Sequence, residues 1–135
     1  MTHTILDVAG RFAAALDTED YSAARALIAE SCIYRINDAT LIGRDAIISS
    51  YRANAASATQ RFDSVDYRSH VEATGSSTAV IKYTDRLRLG DDFHEFRCRQ
   101  HVQIGAAGLI EQITHEELPG ERQRLEAFES RLADR

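Results

Sequence analysis

The sequence predicts an α+β protein in which helices come first, a long antiparallel meander follows, and one helix closes the chain. Apolar residues recur at helical spacing before Phe62 and alternate with polar residues after it. Short loops that contain glycine separate the alternating segments, which is typical of hairpins. A length of 135 residues and a hydrophobic content of 44% favour one globular domain with its own core.

Two amphipathic helices are predicted at the start of the chain. The first begins after Thr4, which can cap it, and ends at the polar run 17–20. The second is capped by Asp20 and is expected to include Leu27 and Ile28 on its apolar face.

A short strand and a third helix come next. Residues 32–36 are rich in β-branched and aromatic side chains and predict the strand, and 41–42 form a brief extended piece. The helix opens at Gly43, carries Tyr51 inward and is expected to end near Thr59.

Four further strands and a closing helix are predicted after Phe62. The strands cover about residues 62–74, 78–89, 93–104 and 109–118. Short loops make sequential strands antiparallel neighbours. The predicted elements from the first helix to the last strand form the domain core, over about 4–118. A C-terminal helix over about 120–133 follows Pro119.

Alternation assigns side chains to the two faces of this sheet. Tyr83 and Asp85 share the apolar face of the second long strand, and Cys98 and Gln100 share that of the third. The helices must cover this face, because one side of an antiparallel sheet has to be buried.

The sequence of the last strand does not show which of its two faces points inward. Ile113 and Leu109 argue that their own face, which carries His115, is the inward one. Ile110 and Leu118 argue for the opposite face. The pattern alone does not decide between them.

Charge and cysteine usage narrow the class of protein. The net charge is -5, and a basic cluster at residues 86–99 is diluted by acidic neighbours, which favours a solvated sheet face over a local anion site. Nucleic-acid binding is therefore not expected. Cys32 and Cys98 have no metal-binding spacing and fit free thiols in a reducing cytoplasm. No signal peptide is expected at residues 1–4, and no membrane-spanning stretch is expected anywhere.

Two segments carry a family resemblance, LIGRDAIISSYR at 41–52 and GLIEQITHEEL at 108–118. Together with the order of helices and strands they resemble the NTF2-like superfamily, particularly its SnoaL-like proteins. The resemblance implies a cone-shaped barrel, in which a curved, mainly antiparallel sheet wraps around the N-terminal helices and leaves a deep pocket. It also implies a small-molecule ligand and a homodimer. Members include ketosteroid isomerase, polyketide cyclases, scytalone dehydratase and limonene epoxide hydrolase.

Asp85 and His115 are the candidate catalytic residues. A carboxylate on the helix-facing side is partly desolvated, which raises its pKa and fits a general acid or base. The alternative for Asp85 is a buried structural carboxylate bonded to a tyrosine or an arginine. If His115 points inward it could meet Asp85 across the sheet; the alternative is a histidine at the sheet rim.

Five further residues are candidate ligand contacts: Tyr34, Tyr51, Tyr83, Cys98 and Gln100. Tyrosine hydroxyls can serve as donors to a developing oxyanion, although tyrosines on a core face more often pack. No metal-ligand spacing and no phosphate loop is present, so neither a metal nor a cofactor is expected. The Asp-Arg-Asp set of the epoxide hydrolases is incomplete here, because Tyr83, Asp85 and His115 stand at the matching positions.

Two functional hypotheses follow. The first is a pocket enzyme for a hydrophobic, polyketide-like or steroid-like molecule that performs isomerisation, cyclisation or hydration. The second is a non-catalytic ligand-binding or dimerisation module. A module that only assembles should have an interior filled by side chains, whereas a ligand binder should retain an apolar cavity with a few polar groups.

Overall fold

The computed structural model describes residues 4–133, with side chains for 4–131, and it confirms the predicted α+β architecture. The signal-peptide expectation at residues 1–3 lies outside the described residues. The elements in chain order are α1 (Ile5–Asp17), α2 (Tyr21–Ala26), β1 (Ile28–Ile36), β2 (Ala39–Ile42), α3 (Arg44–Arg61), β3 (Ser64–Ala73), β4 (Thr78–Leu89), β5 (Asp92–Ile104), β6 (Ile110–Glu117) and α4 (Glu121–Ala133).

The strands form one curved sheet in the order β2-β1-β6-β5-β4-β3. All pairings are antiparallel except that of β1 with β6, and the hairpins β3–β4, β4–β5 and β5–β6 form as predicted. The sheet stays open, with β2 and β3 at its edges, so the cone is completed by helices rather than by strand closure.

The predicted second helix is too long, because Leu27 and Ile28 do not belong to it. The helix ends at Ala26, and β1 begins at Ile28 rather than at residue 32. The amide of Ile110 donates to the carbonyl of Leu27 at 2.9 Å, and Ile28 pairs with Ile110. Pairing with β6 thus overrides the local helical pattern. The predicted third helix, by contrast, is slightly too short, because α3 extends past Thr59 to Arg61.

The core lies between the concave face of the sheet and two helices. The first helix is capped as predicted, since the Asp7 amide donates to Thr4 Oγ1 at 3.0 Å. It buries Val8, Ala9 and Phe12 completely, and α3 adds Ile47. Among residues 4–133 no helix is long and apolar enough to cross a membrane.

A bulge in β6 explains why its sequence pattern supported two facings. Gln103 pairs with Gln112, whereas Ile104 pairs with Ile110, so Glu111 has no partner on β5. The extra residue shifts the alternation, and both Ile110 and Ile113 are therefore fully buried. Beyond the bulge the phase of Ile113 continues, which turns His115 toward the inside.

The closing helix α4 is fixed to β5 by a buried carboxylate. Glu121 is only 4% exposed, and its Oε1 accepts a hydrogen bond of 2.6 Å from the Arg97 amide. Its other oxygen accepts from the Arg124 guanidinium. Further along α4, Phe128 packs in a second hydrophobic cluster with Phe62 and Leu87.

We expect Glu121→Ala to lower the free energy of unfolding by about 2 kcal/mol, because it leaves the part-buried Arg97 amide without its charged acceptor. Urea denaturation measures this loss. Glu126→Ala on the exposed side of the same helix is the control and should change stability by less than about 0.5 kcal/mol. Equal effects of the two substitutions would contradict the anchoring role.

Candidate functional site

A cavity of about 410 Å³ opens between the concave face of the sheet and α1, α3 and α4. Its size falls in the usual range for small-molecule sites. All seven candidate residues from the sequence line it: Tyr34, Tyr51, Tyr83, Asp85, Cys98, Gln100 and His115. The interior is therefore not filled by side chains, as a module that only assembles would require.

Asp85 is a partly buried carboxylate on the inward face of β4. It lies between Tyr67 of β3 and Phe96 of β5 in the strand register. Burial, and then the negative charge of Asp17, raises its pKa to about 7. No cation pairs with it among the side chains described. At neutral pH this carboxyl is therefore present in both protonation states.

Asp17 at the end of α1 also lines the cavity, and the sequence analysis missed it as a site residue. Its Oδ2 accepts a hydrogen bond of 2.6 Å from the Ser69 hydroxyl. Burial raises the pKa of Asp17, the Ser69 hydrogen bond lowers it, and the negative charge of Asp66 raises it. The available signal was its place four residues after the buried Ala13, which continues the inward face of the helix.

Two tyrosine hydroxyls near Asp85 are buried and have no hydrogen-bond partner among the described residues. They belong to Tyr67 and Tyr83. Burial, followed by the charge of Asp85, raises the pKa of Tyr67 to about 12. Burial also raises the pKa of Tyr83 well above its usual value. Both groups are thus neutral donors that a bound ligand can satisfy. Tyr67 is the second site residue that the sequence analysis missed.

The other end of the cavity holds a hydrogen-bonded chain centred on Gln100. Tyr51 Oη donates to Gln100 Oε1 at 2.6 Å, and Gln100 Nε2 donates to Tyr34 Oη at 2.8 Å. The same amide nitrogen lies 3.4 Å from His115 Nδ1. This assignment of the amide makes Nδ1 an acceptor and puts the imidazole proton on Nε2. Burial lowers the pKa of His115, so the ring is neutral at neutral pH.

The direct contact between Asp85 and His115 that the sequence analysis considered is absent. Strand β5 separates them, because Asp85 pairs with Phe96 whereas His115 pairs with Gln100. These two positions are four residues apart along β5, which corresponds to about 13 Å of strand. Asp85 and His115 therefore belong to different ends of one cavity.

Cys98 lies on the cavity wall between these two ends. Burial, followed by the charge of Asp85, raises the pKa of its thiol to about 12. The thiol therefore stays protonated at neutral pH, which disfavours a role as a nucleophile. Cys32 is buried in the core, and both cysteines are free thiols.

Helix α4 borders the opening of the cavity. Arg122 and Leu125 line the rim, and Arg122 forms an ion pair with Glu117 at the end of β6. A second ion pair joins Arg61 of α3 to Glu129 of α4. Arg61 also lines the cavity, so both cavity arginines have acidic partners of their own.

We expect Gln100→Leu to lower the free energy of unfolding by about 1–3 kcal/mol, because it leaves the Tyr34 and Tyr51 hydroxyls without their shared partner. Thermal or urea unfolding measures the effect. Gln103→Leu, on the exposed side of the same strand, is the matched control. A loss no larger than that of the control would contradict the proposed network.

Comparison with known proteins identifies the fold. No protein-family model and no curated protein matches the chain. An NTF2-like protein from Cytophaga hutchinsonii is 15% identical with a TM-score of 0.63, covering 88% of this chain and 94% of that protein. A LEH-like epoxide hydrolase from Mycobacterium tuberculosis is 14% identical with a TM-score of 0.64, covering 89% and 82%.

A further structure, also from Mycobacterium tuberculosis, was solved in complex with estradiol-17beta-hemisuccinate. It is 12% identical with a TM-score of 0.66, and the alignment covers 88% of this chain and 98% of that protein. At these identities the similarity establishes a shared fold and leaves the chemistry to be argued from the cavity.

Proposed function

From the NTF2-like fold of this chain we propose that it binds a hydrophobic small molecule of polyketide or steroid type and performs cofactor-independent acid–base chemistry on it. Isomerisation, cyclisation and hydration are the reaction types that such chemistry serves. One observation carries the proposal: Asp85 lines the cavity with a pKa raised by burial to about 7. A general acid or base works best when its pKa lies near the operating pH.

In this proposal Asp85 transfers the proton and the neighbouring hydroxyls stabilise charge. Tyr67 and Tyr83 lack partners in the described part of the chain, so each can donate to an oxygen that becomes negative during the reaction. The unmet hydrogen bonds are then satisfied by the substrate rather than by the protein.

The far end of the cavity would orient the substrate. There the Gln100 chain fixes the neutral His115 ring, whose Nε2–H is left free of the amide contact. The lining also includes apolar and aromatic side chains, among them Leu16, Leu87 and Phe96. Such a wall favours a ligand with a hydrophobic body and polar groups at separated positions.

The structural neighbours are consistent with this class of ligand. One binds a steroid derivative in its crystal structure and another is described as an epoxide hydrolase. Transfer of either property to this chain is part of the proposal, because the shared fold alone does not determine activity.

A panel of cyclic ketones, epoxides and polyketide-like substrates tests the proposal. We expect turnover of at least one class by the wild-type protein, loss of that turnover in Asp85→Asn, and unchanged turnover in Asp91→Asn on the exposed β4–β5 hairpin. Binding of panel members with no turnover by any variant would reject the enzyme and favour the non-catalytic binder.

The proposal includes a homodimer that resides in the cytoplasm. The two free cysteines of the protein, Cys32 and Cys98, suit a reducing compartment. Sedimentation equilibrium tests the assembly: a dimer mass is expected at micromolar concentration, and a monomer mass across the concentration range would remove the dimer from the proposal.

A further inference from the structure

Two carboxylates from different elements reach the same patch of sheet. Tyr67 pairs with Asp85 and Ser69 pairs with Tyr83, so these four inward side chains form a compact group across β3 and β4. Asp17 enters from the end of α1 and accepts the Ser69 hydrogen bond at 2.6 Å. The Asp17 carboxylate therefore lies over the patch that carries Asp85.

No basic side chain forms an ion pair with either carboxylate among the described residues. The cavity arginines, Arg61 and Arg122, pair instead with Glu129 and Glu117. The titratable groups that act on Asp17, Asp85 and the two tyrosines of the patch from their surroundings are all acids, phenols or a thiol: Glu19, Tyr21, Tyr34, Asp66 and Cys98. If Asp17 and Asp85 were both ionised, their repulsion would therefore not be offset by a paired positive charge.

The Tyr83 hydroxyl gives independent evidence that the patch is built for a ligand. It is shielded from solvent, has no hydrogen-bond partner in the described part of the chain, and lies within electrostatic reach of both Asp17 and Asp85. A buried hydroxyl that finds no acceptor in the protein is costly unless something else supplies one. The patch thus combines two carboxyl groups with a donor that awaits a bound molecule.

We propose that Asp17 is a positioning residue of this site and that Asp17 and Asp85 titrate as a coupled pair, in which the charge of Asp17 keeps Asp85 able to donate a proton at neutral pH. This inference rests on the proposed acid–base function and specifies how that function is regulated by pH. It makes the helix α1 part of the site, together with the sheet.

The hydrogen bonding determines which carboxyl retains the proton. Ser69 donates to Asp17 and so stabilises the ionised form of Asp17, which opposes the effect of burial on its pKa. Asp85 has no such donor, and the charge of Asp17 adds to burial in raising its pKa. Asp17 is thus the carboxylate and Asp85 the carboxylic acid when one proton is present.

Carbon-13 NMR of the aspartate carboxyl groups between pH 3 and 9 tests the inference without any substrate. In the wild-type protein two coupled resonances should titrate, each showing a second step at the pH where the other ionises. Asp17→Asn should lower the apparent pKa of Asp85 by about one pH unit. Asp85→Asn should leave that of Asp17 nearly unchanged, because Asp85 is still a neutral acid when Asp17 ionises. Asp91→Asn should move neither.

Ser69→Ala gives a second test that does not alter either carboxyl. Loss of the donor should raise the apparent pKa of Asp17 and bring the two titrations closer together. An Asp85 titration near pH 7 that Asp17→Asn leaves unchanged would overturn the coupling of the two carboxyl groups and leave the proposed function standing. An Asp85 titration near pH 4 in the wild-type protein would instead overturn the proposed function itself.

Discussion

Replacing Asp85 with asparagine is expected to lower turnover by about 10²–10⁴-fold, the usual contribution of a positioned general acid or base. Asparagine has nearly the same shape but cannot exchange a proton, so substrate binding should be retained. The loss should therefore appear in kcat with little change in KM. Steady-state kinetics on the substrate class that the panel identifies measures it.

Two controls separate this effect from a general disturbance of the cavity. Asp91→Asn carries the same chemical change on an exposed hairpin and should leave kcat unchanged. Asp85→Glu keeps the proton but moves it by one methylene, and we expect partial activity. Retention of full kcat by Asp85→Asn would show that another group transfers the proton.

The protein is also expected to lose stability as the pH rises from about 4 to about 7. The folded-state pKa of Asp85 is about 7 against an ordinary value of 3.8, because burial penalises the charged form. Between these values the folded state binds more protons than the unfolded state, so the free energy of unfolding falls with increasing pH. The full difference corresponds to about 4 kcal/mol, which is lost once the pH exceeds the folded-state pKa.

Asp85→Asn should remove most of this pH dependence and make the protein more stable than the wild type at pH 8. Urea unfolding at pH 5 and pH 8 measures the free energies for both proteins, with Asp91→Asn as the control. If the wild type and Asp85→Asn show parallel curves from pH 5 to pH 8, the Asp85 carboxyl is ionised in the fold without cost and the electrostatic account of the site is incorrect.

The side chains placed correctly from sequence lie on regular strands. The period of two is fixed by strand geometry, so one apolar neighbour is enough to assign Asp85 and Gln100 to the inward face. His115 was harder, because the unpaired Glu111 shifts the alternation within β6. A bulge of this kind depends on pairing with a neighbouring strand and leaves no clear mark in a single sequence.

The features missed from sequence depend on how elements meet. Asp17 stands in a polar run that ends a helix, and only the packing of α1 over β3 brings it to Ser69. The separation of Asp85 from His115 follows from the register of three strands, which alternation alone does not give. The start of β1 at Ile28 likewise reflects its parallel pairing with β6 rather than local propensity.

The most direct test of the account is the titration of the Asp85 carboxyl carbon in the wild-type protein, assigned by its absence from Asp85→Asn. The account predicts a midpoint near pH 7, which would establish a carboxyl group in the cavity that is able to exchange protons under neutral conditions. A midpoint near pH 4 would mean a fully ionised, solvated carboxylate and would contradict the acid–base role.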